Sequence, residues 1–398
     1  MIRTSRVVGR IAAGALIIGT VVAGAAPAQA AAGDWKQDGF SPARTYFNPN
    51  ESTITPSTIN AVTQRWRVLL PAQTCGVATA PVVAGGRVFV ADEKGIGAYR
   101  ATTGRLLWHR NSARLLGDAH LAFSGGLLLA VPAVADEHCG PVQDNVLLGL
   151  DPATGALRWQ ARTAVPMRSL VVDRGVAVVS GASASAGAVV TAFRVSDGAQ
   201  RWRRNGLLSS GVSAAGRLLL SRVSPAGLVA VSVTTGKTLW RVARRGTVLA
   251  ATPAGDLVYV GEIRPGDVED LVCLRATNGS VAWRSGDAGF LGELATDGRR
   301  VYTLIGNGFT ARDALTGAAV WTTDLESDPG QPSLAGGLLY AKSEFTGLAI
   351  LNVTNGHRAA PGDGFGSFDE QEPDPPTVAN GWLFLASASN ARVIAYAP

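Results

Sequence analysis

The sequence is poor in the side chains that do chemistry. Only four histidines occur in 398 residues, and His109, His120, His138 and His357 are scattered without the H-E-x-x-H spacing that sets two imidazoles on one metal. They read as isolated structural or surface histidines, with His120 and His138, near Asp136 and Glu137, the one pair worth testing. No serine stands in G-x-S-x-G, and no glycine run matches a phosphate-binding loop. Charge is sparse at 17%, and no basic cluster carries interleaved aromatics, so nucleic acid is not an expected partner. Cysteine is limited to Cys75, Cys139 and Cys273. Beyond the first thirty residues no segment is long and apolar enough to span a membrane.

What is present begins with an address. Arg3, Arg6 and Arg10 form a basic start, residues 11–26 an apolar stretch, and Ala28-Gln29-Ala30 a small-residue cleavage site. The pattern predicts a cleaved Sec-type signal peptide over residues 1–30 and a mature chain that is secreted or on the cell-envelope exterior. There is no paired arginine for the twin-arginine route, and no cysteine follows the apolar stretch to carry a lipid. Removing the three leader arginines lowers the formal charge from +6 to near +3. Glycine is abundant, at 48 residues, which fits many short strands joined by tight turns.

Residues 98–108, Ala-Tyr-Arg-Ala-Thr-Thr-Gly-Arg-Leu-Leu-Trp, set a recurring phrase. An apolar run ends in a polar turn with Gly104, and Trp108 follows four residues later. The phrase returns at Gly155/Trp159, Gly198/Trp202, Gly236/Trp240, Gly279/Trp283 and Gly317/Trp321. A seventh copy ends at Gly356 with Ala360 in the tryptophan's place. Counted from Trp66, the tryptophans stand 42, 51, 43, 38, 43 and 38 residues apart. A period of about 40–45 residues is that of a four-stranded propeller blade. The indoles are read as packing between blades, where each buries much apolar area.

A second-strand unit recurs at 87–91, 126–131, 175–180, 216–221, 256–261, 299–304, 337–341 and 381–386, which makes eight. The last run, 393–398, stops before a fourth strand, while Trp66 sits on a strand, 65–69, that has no earlier blade. Closing the ring with that N-terminal strand solves both problems and removes open sheet edges. The expected fold is therefore all-β, an eight-bladed propeller over residues 65–398. Residues 31–64, with Trp35, Phe40, Tyr46 and Phe47, are expected to form an extended strap across one end. Within it Thr55-Pro56 has the form of a capped helix start, predicting a short helix over 56–62.

The phrase Asp151-Pro152-Ala153-Thr154-Gly155-Ala156-Leu157-Arg158-Trp159 and its five relatives resemble the tryptophan-docking repeats of the pyrroloquinoline quinone (PQQ)-type propellers. Residues 34–48, with Trp35, Arg44-Thr45 and Asn48, are similar to the lead-in of exported bacterial members. The resemblance covers about nine-tenths of the mature chain. It implies the fold, and a superfamily holding quinoprotein dehydrogenases, an outer-membrane assembly lipoprotein and many other exported proteins. A quinoprotein dehydrogenase would bring a vicinal cysteine pair, a calcium or lanthanide ion and an aspartate base. This chain has no adjacent cysteines, lacks C-x-x-C-H for a haem, and is shorter than the larger members.

Loops entering a blade's first strand, and those joining its second to its third, open on one end of the ring, the upper face. Cys75 and Cys139 fall in two such loops of neighbouring blades, and export permits a disulfide between them. Cys273 aligns with Ala98, Gly149, Ala192, Ala230 and Ala311 and is expected as a buried free thiol. Residues 361–376 carry Asp363, Asp369, Glu370, Glu372 and Asp374. Such a run reads first as a solvated loop, and otherwise as a docking surface or a weak calcium site at Asp363, Asp369, Glu370 and Glu372. Outer strands end instead in Arg162, Arg203-Arg204 and Arg244-Arg245, which would polarise the upper face.

These observations favour an exported, monomeric, non-catalytic scaffold, without a cofactor, that holds a protein partner or a cell-envelope polymer on its upper face. The alternative is a PQQ- and calcium-dependent dehydrogenase. A carbohydrate-active propeller is the remaining class, and its paired carboxylates would stand about 5–10 Å apart in the channel.

Overall fold

The computed structural model describes Met1 and residues 31–71, 80–112, 119–132, 145–264, 268–286, 290–325, 329–343, 347–365, 375–387 and 391–398. Its strands are short and apolar on both sides. On Arg87–Asp92, for example, every residue after the first is buried, as a sheet sandwiched between two neighbours requires. Eight four-stranded sheets result, each a blade of one ring. In blade 1 the order from axis to rim is Val82–Ala84, Arg87–Asp92, Gly95–Arg100 and Leu106–Asn111. First strands of successive blades touch one another around the axis. Blades 2 to 6 begin at Ala119–Ser124, Ser169–Asp173, Leu207–Ala214, Thr247–Ala251 and Phe290–Thr296, and blades 7 and 8 at Ser333–Ala335 and Thr377–Ala379.

The ring closes through the N-terminal strand. Thr63–Leu69 runs antiparallel to Arg392–Ala397, with Trp66 opposite Ala395 and Arg67 opposite Ile394. This strand is the outer edge of blade 8.

Each recurring tryptophan docks on the next blade's recurring glycine. Trp66, Trp108, Trp159, Trp202, Trp240, Trp283 and Trp321 lie against Gly104, Gly155, Gly198, Gly236, Gly279, Gly317 and Gly356 in turn. Their Nε1 groups donate to Ala101, Pro152, Val195, Val233, Ala276, Ala314 and Val353, always the carbonyl three residues before that glycine, at 2.8–3.0 Å. Two demands fix glycine at the turn. Its φ is positive in every copy, and a β-carbon would fall 2.5–2.8 Å from the indole, closer than packed carbons approach.

One junction lacks the device, and topology explains Ala360. Blade 8 takes its outer strand from residues 63–69, so no turn with a docking glycine joins that strand to Arg392–Ala397. A tryptophan at 360 would have nothing to dock on. Blade 7 correspondingly has no full outer strand, only a bridge between Leu351 and Arg358. Its fourth member is Phe47–Asn48, which pairs parallel to Ser333–Ala335 on the axial side and was not legible as a strand. Ile54, Ile59 and Val62 fill the junction instead, in one apolar cluster with Ala360, Phe365, Tyr340 and Tyr396.

The helix expected over 56–62 shrinks to a single 3-10 turn, Ile59–Ala61. Thr58 is the reason. Its Oγ1 donates to the Thr53 carbonyl at 2.6 Å and accepts from Thr55 N–H at 2.9 Å, a local hydrogen-bonding pattern that competes with helix. Val62 then turns extended and leads into the closing strand.

Residues 34–48 circle the axis and bond every blade. Trp35, Lys36, Pro42, Ala43, Thr45 and Tyr46 each offer a carbonyl, to the N–H groups of Val83, Phe123, Ser213, Ala251, Thr296 and Leu334 on blades 1, 2, 4, 5, 6 and 7. Blade 3 is held by the Gln37 amide, which accepts from Val172 N–H at 2.9 Å and donates to Val172 O at 3.1 Å. Blade 8 is held by Asn48 Nδ2 on Val378 O at 2.8 Å. The inner strands are sheet edges, and this segment satisfies their exposed groups near the first-to-second-strand turns. That end is the lower face.

Candidate functional site

Residues 34–48 occupy the lower end of the ring, and propellers commonly bind ligands and partners at the opposite end or in the channel. Cys75, Cys139, His138, Asp369, Glu370 and Glu372 lie outside the described residues. Asp363 opens the 3-10 turn Asp363–Phe365, whose Phe365 ring meets Tyr396 with centroids 5.1 Å apart. Cys273 is buried and unbonded, opposite Tyr259 and Trp283 in its sheet. Burial, the largest influence, pushes its thiol up to about 12, so it is an inert core group rather than a nucleophile. No group of three or more metal-ligating side chains occurs among the described residues.

Near the axis, polar side chains of one blade bond the backbone of a neighbour. His120 Nε2 donates to Arg168 O at 3.0 Å, Ser180 Oγ to Ser209 O at 3.1 Å and Ser210 Oγ to Val248 O at 2.6 Å. Gln331 Nε2 reaches Leu294 O at 2.8 Å, and Ser333 Oγ reaches Pro376 O at 2.5 Å. Glu293, on the irregular first strand of blade 6, differs. Its Oε2 is buried without a hydrogen-bond partner, and burial pushes its carboxyl up from 4.5 to about 7.

The other buried carboxylates are tied down. Asp92, fully buried, accepts from His109 Nε2 at 2.9 Å and from Lys94 N–H at 2.8 Å. On blade 5 Glu262 and Asp270 stand directly opposite on paired strands. Like charges there repel, and Arg284 Nη1 offsets this by bridging both, at 2.9 Å and 3.3 Å. Arg244 Nη1 also binds Glu262, while Ser285 Oγ and Gly286 N–H donate to Asp270. This is a charge cluster that pins three strand ends and an inter-blade connection, with its oxygens already occupied.

The arginines expected on the upper face divide the same way. Arg204 bends toward the neighbouring blade, with Nη1 on Gly236 O and Nη2 on Thr238 Oγ1, repeating what Arg110 does at Gly155. Arg244 is held by Glu262. Arg162, Arg203 and Arg245 remain exposed and form no ion pair among the described residues. Sequence reasoning missed Arg222, which joins Arg245 in lining a cleft of about 510 Å³ between the blade 4 loop and the connection to blade 5. Nothing in the repeat marks position 222, because the cleft arises where two separate connections meet.

A PQQ-type site does not fit these residues. The quinone carries several carboxylates, and its cation needs several oxygen ligands. Among the described residues no three such ligands converge, Glu293 on blade 6 stands alone with its buried Oε2 unpartnered, and His120, Ser210 and Gln331 are engaged with backbone.

Eight four-stranded blades, seven tryptophan–glycine docks and a closing N-terminal strand define a PQQ-like β-propeller. The sequence profile of the family described as outer membrane protein assembly factor BamB matches residues 57–190 and 186–398, and the chain belongs to that family. BamB from Moraxella catarrhalis has a similar structure, with a TM-score of 0.60 at 17% identity over 85% of this chain and 98% of that one. A quinohemoprotein alcohol dehydrogenase from Comamonas testosteroni gives 0.66 at 14%, over 92% and 80%. A europium-containing methanol dehydrogenase gives 0.63 at 12%, over 92% and 98%. At these identities the likeness is one of fold. Among curated proteins no sequence matches the chain.

Proposed function

We propose that the protein is an exported, monomeric binding scaffold that holds a partner protein on the upper face of blades 2 to 5. One observation carries this reading, the asymmetry between the two ends of the ring. Residues 34–48 bond all eight inner strands at the lower end. At the upper rim Arg162, Arg203, Arg222 and Arg245 stand outside any ion pair among the described residues. Cations left unpaired at a rim serve electrostatic steering and partner choice. Apart from Glu293, whose buried Oε2 has no partner, the buried carboxylates near strand ends are engaged in Asp92–His109 and Glu262–Arg284–Asp270. The dehydrogenase alternative draws on fold likeness, and the described axial residues do not assemble a quinone site.

The test is positional crosslinking in the producing cell. A photo-crosslinking residue replaces Arg162 or Arg203 on the upper rim, or Thr154 or Thr235 on the lower turns. Adducts to one discrete protein from the upper positions alone support the scaffold. Equal labelling from both ends, or none from either, contradicts it.

A further inference from the structure

The blade 4 cleft is built by two connections that meet only in the folded ring. Its floor and one wall are Ser221, Arg222, Val223, Ser224, Pro225, Ala226 and Gly227, between the second and third strands. The other wall is Arg245-Gly246, between the outer strand of blade 4 and the first strand of blade 5. Ser221 Oγ spans the two, donating to Gly246 O at 3.3 Å.

Among the described residues its two guanidinium groups meet no anion. Arg87, Arg110 and Arg312 each have a buried Nε without an acceptor, yet each bonds through another nitrogen. Arg222 has the same buried Nε and makes no other hydrogen bond or ion pair among the described residues. Its Nη2 lies over Gly227, 3.4 Å from where a β-carbon would sit. A side chain there would press on Val242 O at 2.7 Å, so the facing outer strand is what requires glycine at 227. On the facing wall Arg244 is anchored by Glu262, which fixes the connection and sets Arg245 at the cleft. Between the arginines Val223, Pro225 and Ala226 give the cleft an aliphatic side beside Ser221 and Ser224, and Val223 is 56% exposed. Two forked cations, unpaired among the described residues and flanking the side chains of Val223, Pro225 and Ala226, match a carboxylate-bearing chain with aliphatic side chains beside its charges.

We propose that this cleft is a carboxylate-binding site for an acidic, aliphatic peptide segment of the partner, held between Arg222 and Arg245. It rests on the scaffold reading of the upper face. The probe is a fluorescent peptide alternating glutamate and leucine, titrated into the full chain by anisotropy, beside its glutamine counterpart, inorganic sulfate and a uronate oligosaccharide. The glutamate peptide binds and weakens with added salt, and the glutamine peptide binds at least about tenfold more weakly. Arg222→Gln and Arg245→Gln each lose about tenfold or more, while Arg201→Gln, on the exposed outer strand of blade 3, binds as the parent. Because Arg245 is exposed, R245Q remains decisive if R222Q does not fold. Equal binding of the two peptides, equal loss in R201Q, or tighter binding of the uronate or sulfate overturns the proposal. Lost peptide binding with upper-rim crosslinks retained removes this site alone, whereas loss of both removes the scaffold reading.

Discussion

The indole of Trp66 lies across Gly104, with Nε1 donating to Ala101 O at 2.9 Å and the ring 2.8 Å from where a β-carbon would stand. The outer strand of blade 8 is thereby locked onto blade 1, and two distant parts of the chain hold one ring.

Gly104 and Gly86 separate the two reasons for glycine. Both have positive φ, +66° and +72°, but a β-carbon at Gly86 would meet nothing within 4 Å. Gly86→Ala should cost only the backbone strain, about 1 kcal/mol. Gly104→Ala adds the clash with the indole and should cost roughly 2 kcal/mol more. Denaturant midpoints of the two variants decide it, and equal losses would mean that the indole moves aside freely.

The closing strand should stabilise the whole ring. Trp66→Ala removes a buried indole and its hydrogen bond, an expected loss of about 3–5 kcal/mol. Deleting residues before Leu70 leaves Arg392–Ala397 as an open edge and should lower the unfolding midpoint of all blades together. An unchanged midpoint would contradict closure.

Gln37 is the sole link from residues 34–48 to the Val172 backbone, satisfying its N–H and its carbonyl together. Gln37→Ala leaves both unpaired in a buried place, costing about 1–3 kcal/mol for each group left unsatisfied. Hydrogen exchange should quicken at Val172 first, while Val83 and Leu334 keep their protection. Uniform exchange across the ring would show that the segment is held as one unit.

Much of this architecture was legible because a blade repeats its needs. Glycine at a positive-φ turn and tryptophan four residues on recur wherever one blade must dock on the next, so Trp108/Gly104 and its relatives announce the fold. Phe47–Asn48 was not legible, because a two-residue strand added to an inner edge has no period of its own. Arg204 and Arg244 read as surface charge, since Gly236 O and Glu262 lie 32 and 18 residues away. The Arg222 cleft was invisible for the same reason. Its parts belong to different repeats and meet only in space.

Glu293 makes stability depend on pH. Burial raises its carboxyl from 4.5 to about 7, so the folded chain keeps a proton that the unfolded chain releases between those values. The contribution is therefore full below pH 4.5 and is lost progressively as pH rises to about 7. Glu293→Gln should remove that slope and be more stable than the parent near neutrality, as seen by urea titrations between pH 4.5 and 7.5. A parent that gains stability over that window relative to the variant would contradict the assignment.

The central claim, a scaffold rather than a quinone enzyme, meets its most direct test in reconstitution. Purified mature protein is incubated with PQQ and calcium, and its visible spectrum and dye-linked oxidation of alcohols and sugars are followed. The structure's described axial residues predict no stoichiometric uptake and no oxidation. A one-to-one quinone complex that turns over alcohol or sugar would contradict the account.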